Sequence, residues 1–299
     1  MAAGLLWRSK LGSADRPIAQ ESPMPQALSD AEAAQLLKSL TLPPLPQSLA
    51  EFRQARAAGA DLADMSELIG RDLSLAAAVL KIANSPAFAS RQLNNLQDAV
   101  MVLGADNLDM VVTSVTLKNA IPLAPILRAF WDDATQIAAI ASHLARRWNL
   151  IKPEQAYLFC LFRDCGIPVL TQRFPAYIAT LARAMEDPAN FIRIEMDSRS
   201  TSHVVVGYLL ARSWFMPSAM NEAILHHHDF DQLGDDELLE PESARLIALA
   251  RLAEYLLFSR LRRDADPHWP HIQAAILAEL GFDTSLMSEL TEVATDALK

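Results

Sequence analysis

Two aspartates, three histidines and two arginines mark the apolar stripes of helices in the second half of this 299-residue chain. Asp133 is in register with Ile137, Ile140 and Leu144, so its carboxyl shares the face that a helix buries. Asp164, directly after Arg163, shares a face with Tyr157, Cys160 and Leu161. His203 aligns with Val206, Gly207 and Leu210. His227 aligns with Met220, Ala223 and Ile224, with His228 just around the axis, and Arg251 aligns with Ile247, Ala248, Tyr255 and Phe258. A charge or imidazole on a buried stripe costs free energy unless it finds a partner. Any one of these groups alone reads as a core residue capped by backbone; as a set they are expected to meet.

Two Asp and three His are donor types suited to a divalent metal. Arg163 and Arg251 argue against one. A guanidinium has no lone pair and keeps its proton, and two fixed positive charges repel a dication in a partly dry cavity. The expected site is therefore metal-free and without cofactor, with the two arginines paired to Asp133 and Asp164. No catalytic residue is assigned. No Gly-x-Ser-x-Gly elbow or phosphate-cradling loop is legible, since the 9 glycines are scattered. His143, beside Arg146 and Arg147, reads as part of a solvated face, and His268 and His271 flank Trp269 in a Pro-bounded surface turn.

The elements that carry these residues read as helices throughout. Aliphatic and Ala-rich segments dominate, 51% of residues are hydrophobic and β-branched runs are short, which predicts an all-α fold. Residues 1–28, with Pro17, Pro23 and Pro25, read as a flexible tail. A first helical part spans 29–122, with helices expected over 31–40, 47–58, 62–71, 75–84, 96–103 and 107–120. Pro122 and Pro125 mark a break. A second part over 123–262 carries helices at 126–148, 154–165, 175–185, 191–196, 201–214, 218–227 and 242–261. A C-terminal extension, 263–299, adds a pair at 270–280 and 284–298.

A net charge of −10 without a lysine cluster disfavours a general nucleic-acid binder. Arg260, Arg262 and Arg263 form a local basic patch that reads as a solvated helix end. Cys160 and Cys165, about 140° apart around a helix, suit neither a disulfide nor a metal knuckle and read as reduced thiols of a cytoplasmic protein. No secretory signal or bilayer-length apolar run is evident, so no membrane partner is expected.

Several blocks together carry a family resemblance. They are Leu42-Pro43-Pro44-Leu45-Pro46, the run from Arg71-Asp72 through Leu80-Lys81-Ile82-Ala83-Asn84-Ser85, and Leu96–Gly104 ending in Leu-Gly. Phe130-Trp131 with Asp133, Leu161-Phe162-Arg163-Asp164-Cys165-Gly166, Ser202-His203 with Gly207, Trp214 and Pro217, Ala223-Ile224 with His227-His228, and Ala250-Arg251 continue the pattern. Over about residues 38–260 the chain resembles the HDOD domains, non-catalytic relatives of the HD and HD-GYP phosphohydrolases of bacterial signalling. The resemblance implies an HD-like helical bundle in which Asp133, Arg163 and Arg251 stand where the enzymes place metal ligands. It also implies a stand-alone regulatory module that works through protein partners or a sensed small anion, for which Arg163, Arg251 and the histidines are candidates; oligomeric state stays open. The rival is a phosphohydrolase or cyclic-nucleotide phosphodiesterase using Asp164, His203, His227 and His228 around one metal. A third reading sets Arg260–Arg263 against duplex DNA.

Overall fold

The structure is a computed structural model that describes residues 42–84, 92–121, 127, 129–235, 237–264 and 266–299. The tail over 1–28 and the helix over 31–40 lie outside the described residues. Among the described residues every regular element is helical. Pro43–Pro122 is one compact unit, and Leu123–Leu298 belongs to another.

The first unit contains α1 (Gln47–Ala57), α2 (Leu62–Gly70), α3 (Leu73–Ala83) and α4 (Leu96–Ala120). Asp61, Asp72 and Asn95 start α2, α3 and α4 by accepting backbone N–H groups that the first turn leaves unpaired. Asn84 ends α3 and clamps Leu93, accepting its N–H at 2.7 Å and donating to its carbonyl at 2.9 Å. Gly104, at φ 70°, breaks α4 between the two helices that the spacing predicts there. By length and composition α4 is apolar enough to cross a membrane, yet it packs against α2 and α3 and buries Leu108, Val111, Val112 and Leu117. It is the core helix of this unit.

The second unit runs through α5 (Phe130–Trp148), α6 (Pro153–Phe162), α7 (Gly166–Arg173), α8 (Tyr177–Glu186), α9 (Phe191–Arg199), α10 (His203–Ser213), α11 (Ser218–His226), α12 (Pro241–Tyr255), α13 (Trp269–Glu279) and α14 (Met287–Asp296). Helix α12 lies against α5, α6 and α11, and α10 lies against α7 and α11. Ile140, Leu144, Phe159, Ile247 and Leu252 fill the interior, with Phe162 edge-on to Trp214 at 5.8 Å. Burying one such side chain contributes about 1.5–3 kcal/mol.

Two features depart from the spacing. The helices expected at 154–165 and 175–185 leave residues 166–174 unassigned. Yet α7 forms there, since Pro168 falls in the first turn, where a missing N–H costs nothing. The helix expected over 242–261 changes character at Leu256–Leu261, where α12 gives way to a π-helical turn.

Candidate functional site

Asp164, His203, His227 and His228 each bring one donor atom into a common volume, all four atoms lying within 4.8 Å of one another. His203 Nε2 is 3.3 Å from His227 Nε2 and 3.2 Å from His228 Nε2. Asp164 Oδ1 is 3.3 Å from His227 Nε2 and 3.6 Å from His203 Nε2. A tetrahedral metal shell with bonds of about 2.0–2.1 Å has edges of about 3.3–3.4 Å. These four separations bracket those edges, while the remaining pairs lie within 4.8 Å.

Backbone architecture places the four groups. Asp164 sits in the tight turn between α6 and α7, closed by the Cys165 N–H on Phe162 O and the Ile167 N–H on Asp164 O. Gly166 follows because a Cβ there would lie 2.1 Å from the carbonyl oxygen of His203. That close crossing of α7 over the start of α10 sets Asp164 beside His203. His227 and His228 leave the end of α11, in a turn fastened by His226 Nδ1 on Asp229 Oδ2 at 2.9 Å. Phe191 stacks on His228 with centroids 5.0 Å apart and meets His203 edge-on at 5.1 Å.

The distal ring nitrogens decide what the cluster can bind. His203 Nδ1 is 2.8 Å from Glu195 Oε2, and His227 Nδ1 is 2.8 Å from the Ile224 carbonyl. Both partners accept, so each Nδ1 carries the proton, and in the neutral ring each Nε2 presents a bare lone pair. Those lone pairs converge with a carboxylate oxygen. Three acceptors facing one another repel unless a positive charge or a donated hydrogen lies among them, and a metal ion, a proton on His203 or the Nε2–H tautomer of His228, 3.2 Å from His203 Nε2, supplies it. Burial opposes the imidazolium of His203, but Glu195 and Asp164 outweigh it and raise the pKa. Burial, followed by His227 and His203, holds His228 well below its ordinary value, so it is a neutral donor.

Glu195 is the residue that sequence reasoning misses. It is fully buried, and one oxygen accepts both the His203 ring N–H and the His203 backbone N–H at 3.1 Å, while the other accepts the Tyr177 hydroxyl. One carboxylate thus caps α10 and fixes a donor tautomer, the arrangement that orients histidines at metal sites. Its only advance signal is its place one turn after Phe191 on α9.

Arg163 does not intrude among the four donors. Its Nε lies 2.9 Å from Asp164 Oδ2, the oxygen pointing away from the histidines, and its Nη2 lies 3.3 Å from Glu254. Burial disfavours the guanidinium, yet Glu254 and Asp164 raise its pKa further. Burial likewise opposes the Asp164 charge, but Arg163, then His227 and His203, hold its carboxyl well below the usual range. The pairing expected between Arg163 and Asp164 is therefore present. The rest of the expected pairing of the two arginines with Asp133 and Asp164 is corrected, because Arg251 meets neither aspartate and Asp133 meets neither arginine. Arg251 is taken by Asp266 at 2.5 Å and lies 4.0 Å from Glu254, because the segment preceding α13 reaches it. Asp133 is met by Arg262 at 2.8 Å from beyond the π-helical turn, and it is not among the converging donors. Arg262 also contacts Gln136 and the Phe258 ring, which leaves less of the Arg260–Arg263 patch for an outside anion.

The model of the HDOD domain matches residues 42–230. The chain belongs to the HDOD domain family. Its fold is that of an HDOD domain protein of unknown function from Geobacter sulfurreducens, with TM-score 0.67 and 22% identity over 89% of this chain and 95% of that one. A Shewanella amazonensis protein provisionally named a phosphohydrolase matches at TM-score 0.67 and 25% identity over 89% and 93%. A Marinobacter aquaeolei protein provisionally named for signal transduction matches at TM-score 0.64 and 25% identity over 88% of this chain and 58% of that one. An uncharacterized protein from Treponema pallidum is 25% identical over 197 residues, 63% of this chain and only 38% of the relative's length. The HDOD match holds Asp164 and all three clustered histidines, whereas Arg251, Glu254 and Asp266 lie beyond it.

Proposed function

We propose that this HDOD protein is a cytoplasmic regulatory module of bacterial signal transduction that binds a protein partner and performs no turnover, with one divalent cation held by Asp164, His203, His227 and His228. The observation that carries the reading is the position of Arg163. Metal-assisted phosphoester hydrolysis at two-metal sites needs a second cation about 3.5–4 Å from the first, to activate water and hold the leaving oxygen. The outer oxygen of Asp164, on which such a second ion would draw, is occupied by a guanidinium that Glu254 pins from behind.

A cation bound to three imidazoles and a carboxylate acts here as a cross-link. It would tie the α6–α7 turn to α10 and to the end of α11, and a tetrahedral ion held by all four protein donors would have no vertex left for a reacting water. The half-buried Asp164 and His228 give an ion its way in. Signalling is also the role named for the Marinobacter relative. A small anion is a weaker reading, because it would have to displace Glu254 and Asp266 from the two arginines.

Elemental analysis of protein purified without chelator tests the site, together with turnover assays on phosphomonoesters and cyclic nucleotides in added Mn, Fe, Zn or Ni. One bound ion and no turnover are expected. Turnover that Asp164→Ala abolishes would make the protein a phosphohydrolase and overturn the reading.

A further inference from the structure

A run of alternating charges leaves the His/Asp centre and ends beyond the family-matched residues. Asp164 Oδ2 holds Arg163 Nε at 2.9 Å, and Arg163 Nη2 meets Glu254 Oε2 at 3.3 Å. The same Glu254 oxygen is 4.0 Å from Arg251 Nη1, and Arg251 Nη2 holds Asp266 Oδ2 at 2.5 Å. The remaining oxygen of Asp266 accepts the backbone N–H groups of His268 at 3.2 Å and Trp269 at 3.1 Å, so the last rung caps α13. Trp269 lies flat on Tyr255 of α12, 3.9 Å between centroids, and Arg251 stands 5.6 Å from its ring. No side chain in the run is more than 26% exposed, which limits screening by salt.

We propose that this ion-pair ladder couples the charge at the His/Asp centre to the seating of the C-terminal helices, α13 and α14. The two arrangements differ in Glu254, which is either shared between Arg163 and Arg251 or given over to Arg163. Positive charge at the centre competes for Asp164 and turns Arg163 toward Glu254. Glu254 then releases Arg251, and Arg251 serves Asp266 alone, which tightens the cap on α13. The 4.0 Å rung is the loosest and is where the ladder switches. At its far end α14 is fastened separately to α5 by Arg147 and Glu289 at 2.8 Å, so the responsive part is the start of α13. The physiological load, a bound cation, rests on the function proposed above; the ladder itself does not.

Hydrogen exchange of the full chain, read at residues 266–279 with residues 62–83 as the reference, tests the coupling. In wild type, saturating Zn(II) is expected to slow exchange at 266–279 at least about fivefold, the low end of ordinary coupling between sites, and to leave 62–83 unchanged. Asp164→Asn without metal removes the same negative charge and is expected to shift 266–279 in the same direction. Glu254→Gln, which touches none of the four donors, is expected to bind Zn(II) and to abolish the response; combined with Asp164→Asn it is expected to abolish that shift too. Zn(II) bound with unchanged exchange at 266–279, equal slowing in Glu254→Gln, or no shift in Asp164→Asn would each overturn the ladder and leave the cation site standing. No Zn(II) bound by wild type, with the Asp164→Asn shift present and abolished by Glu254→Gln, would overturn the cation reading and uphold the ladder.

Discussion

Replacing Glu195 by Gln isolates the contribution of one buried carboxylate to the centre. Ala at this position would strand three donors, the Tyr177 hydroxyl and both N–H groups of His203. At about 1–3 kcal/mol for each unsatisfied group, that loss rivals the whole stability of a domain. Gln keeps the shape: its amide oxygen can accept from His203 at the present 2.8 Å and 3.1 Å, and its amide nitrogen can donate to the Tyr177 oxygen. What disappears is the charge. A hydrogen bond to an ionised group is worth about 1.5–3 kcal/mol against about 0.5–1.5 for a neutral one, so roughly 1–1.5 kcal/mol of support for an electron-rich His203 Nε2 is lost. That converts to about a tenfold weaker Zn(II) affinity, the lower end of the 10–100-fold expected when a partner behind a metal-bound histidine is changed. Calorimetric titration of metal-free protein with Zn(II) at fixed pH measures it, with circular dichroism establishing that the variant is folded. Equal affinities for folded wild type and folded Glu195→Gln would refute the argument that Glu195 prepares His203 as a donor.

Gly166→Ala drives a methyl to 2.1 Å from the His203 carbonyl, a backbone atom that cannot give way, and is expected to cost about 3 kcal/mol or more in a urea melt. Gly207→Ala meets Ile224 Cγ2 at 3.1 Å, with Arg163 O and Cys165 Sγ at ordinary contact of 3.6 Å, and is expected to cost less than Gly166→Ala, about 1 kcal/mol, in the same assay. Arg163→Ala leaves Glu254 and the outer oxygen of Asp164 without their shared cation, and a loss of about 3–5 kcal/mol in the urea midpoint analysis is expected. Burial pushes the Cys160 thiol up to about 12 and raises Cys165 as well, so native protein at pH 8 is expected to resist a thiol reagent that labels both residues once urea is added.

The inward direction of a polar side chain was legible in the spacing, and its partner was not. Asp164, His203 and His227 lie on apolar stripes by their i+3 and i+4 neighbours, with His228 just around the axis from His227, and those four do converge. Asp133 and Arg251 satisfied the same test yet joined other groups, because a stripe gives a direction around one axis and says nothing of height along a neighbouring one. The π-helical turn over Leu256–Leu261 adds to this. It alters the rotation per residue without any mark in the apolar pattern, and Arg262 beyond it reaches Asp133. Glu195 and Glu254 escaped notice for a statistical reason with a physical root. A glutamate on a helix is ordinarily solvated, and only a waiting imidazole or guanidinium makes its burial affordable.

The same distinction governs what an arginine does beside a cluster of metal-donor side chains. An arginine next to such a cluster is read most simply as a cation displacing a cation, which predicts a filled and inert pocket. That prediction holds only if the guanidinium enters the pocket. Arg163 has a neighbour in Glu254, so its plane lies outward, and its Nε spends itself on the one Asp164 oxygen that the histidines do not face. Each carboxylate oxygen therefore answers to a different positive charge. Removing Glu254 should bring the simpler outcome back. With Glu254→Ala, Arg163 loses its outward anchor and is expected to fold in toward the lone pairs of His203 and His227. Zn(II) binding, expected in the parent, is then expected to fall by more than the about tenfold expected for Glu195→Gln, although Glu254 touches no donor atom. Unchanged affinity in a folded Glu254→Ala protein would mean that something other than the Glu254 side chain, whose hydrogen bond to Arg163 a Gln retains, holds Arg163 out of the centre.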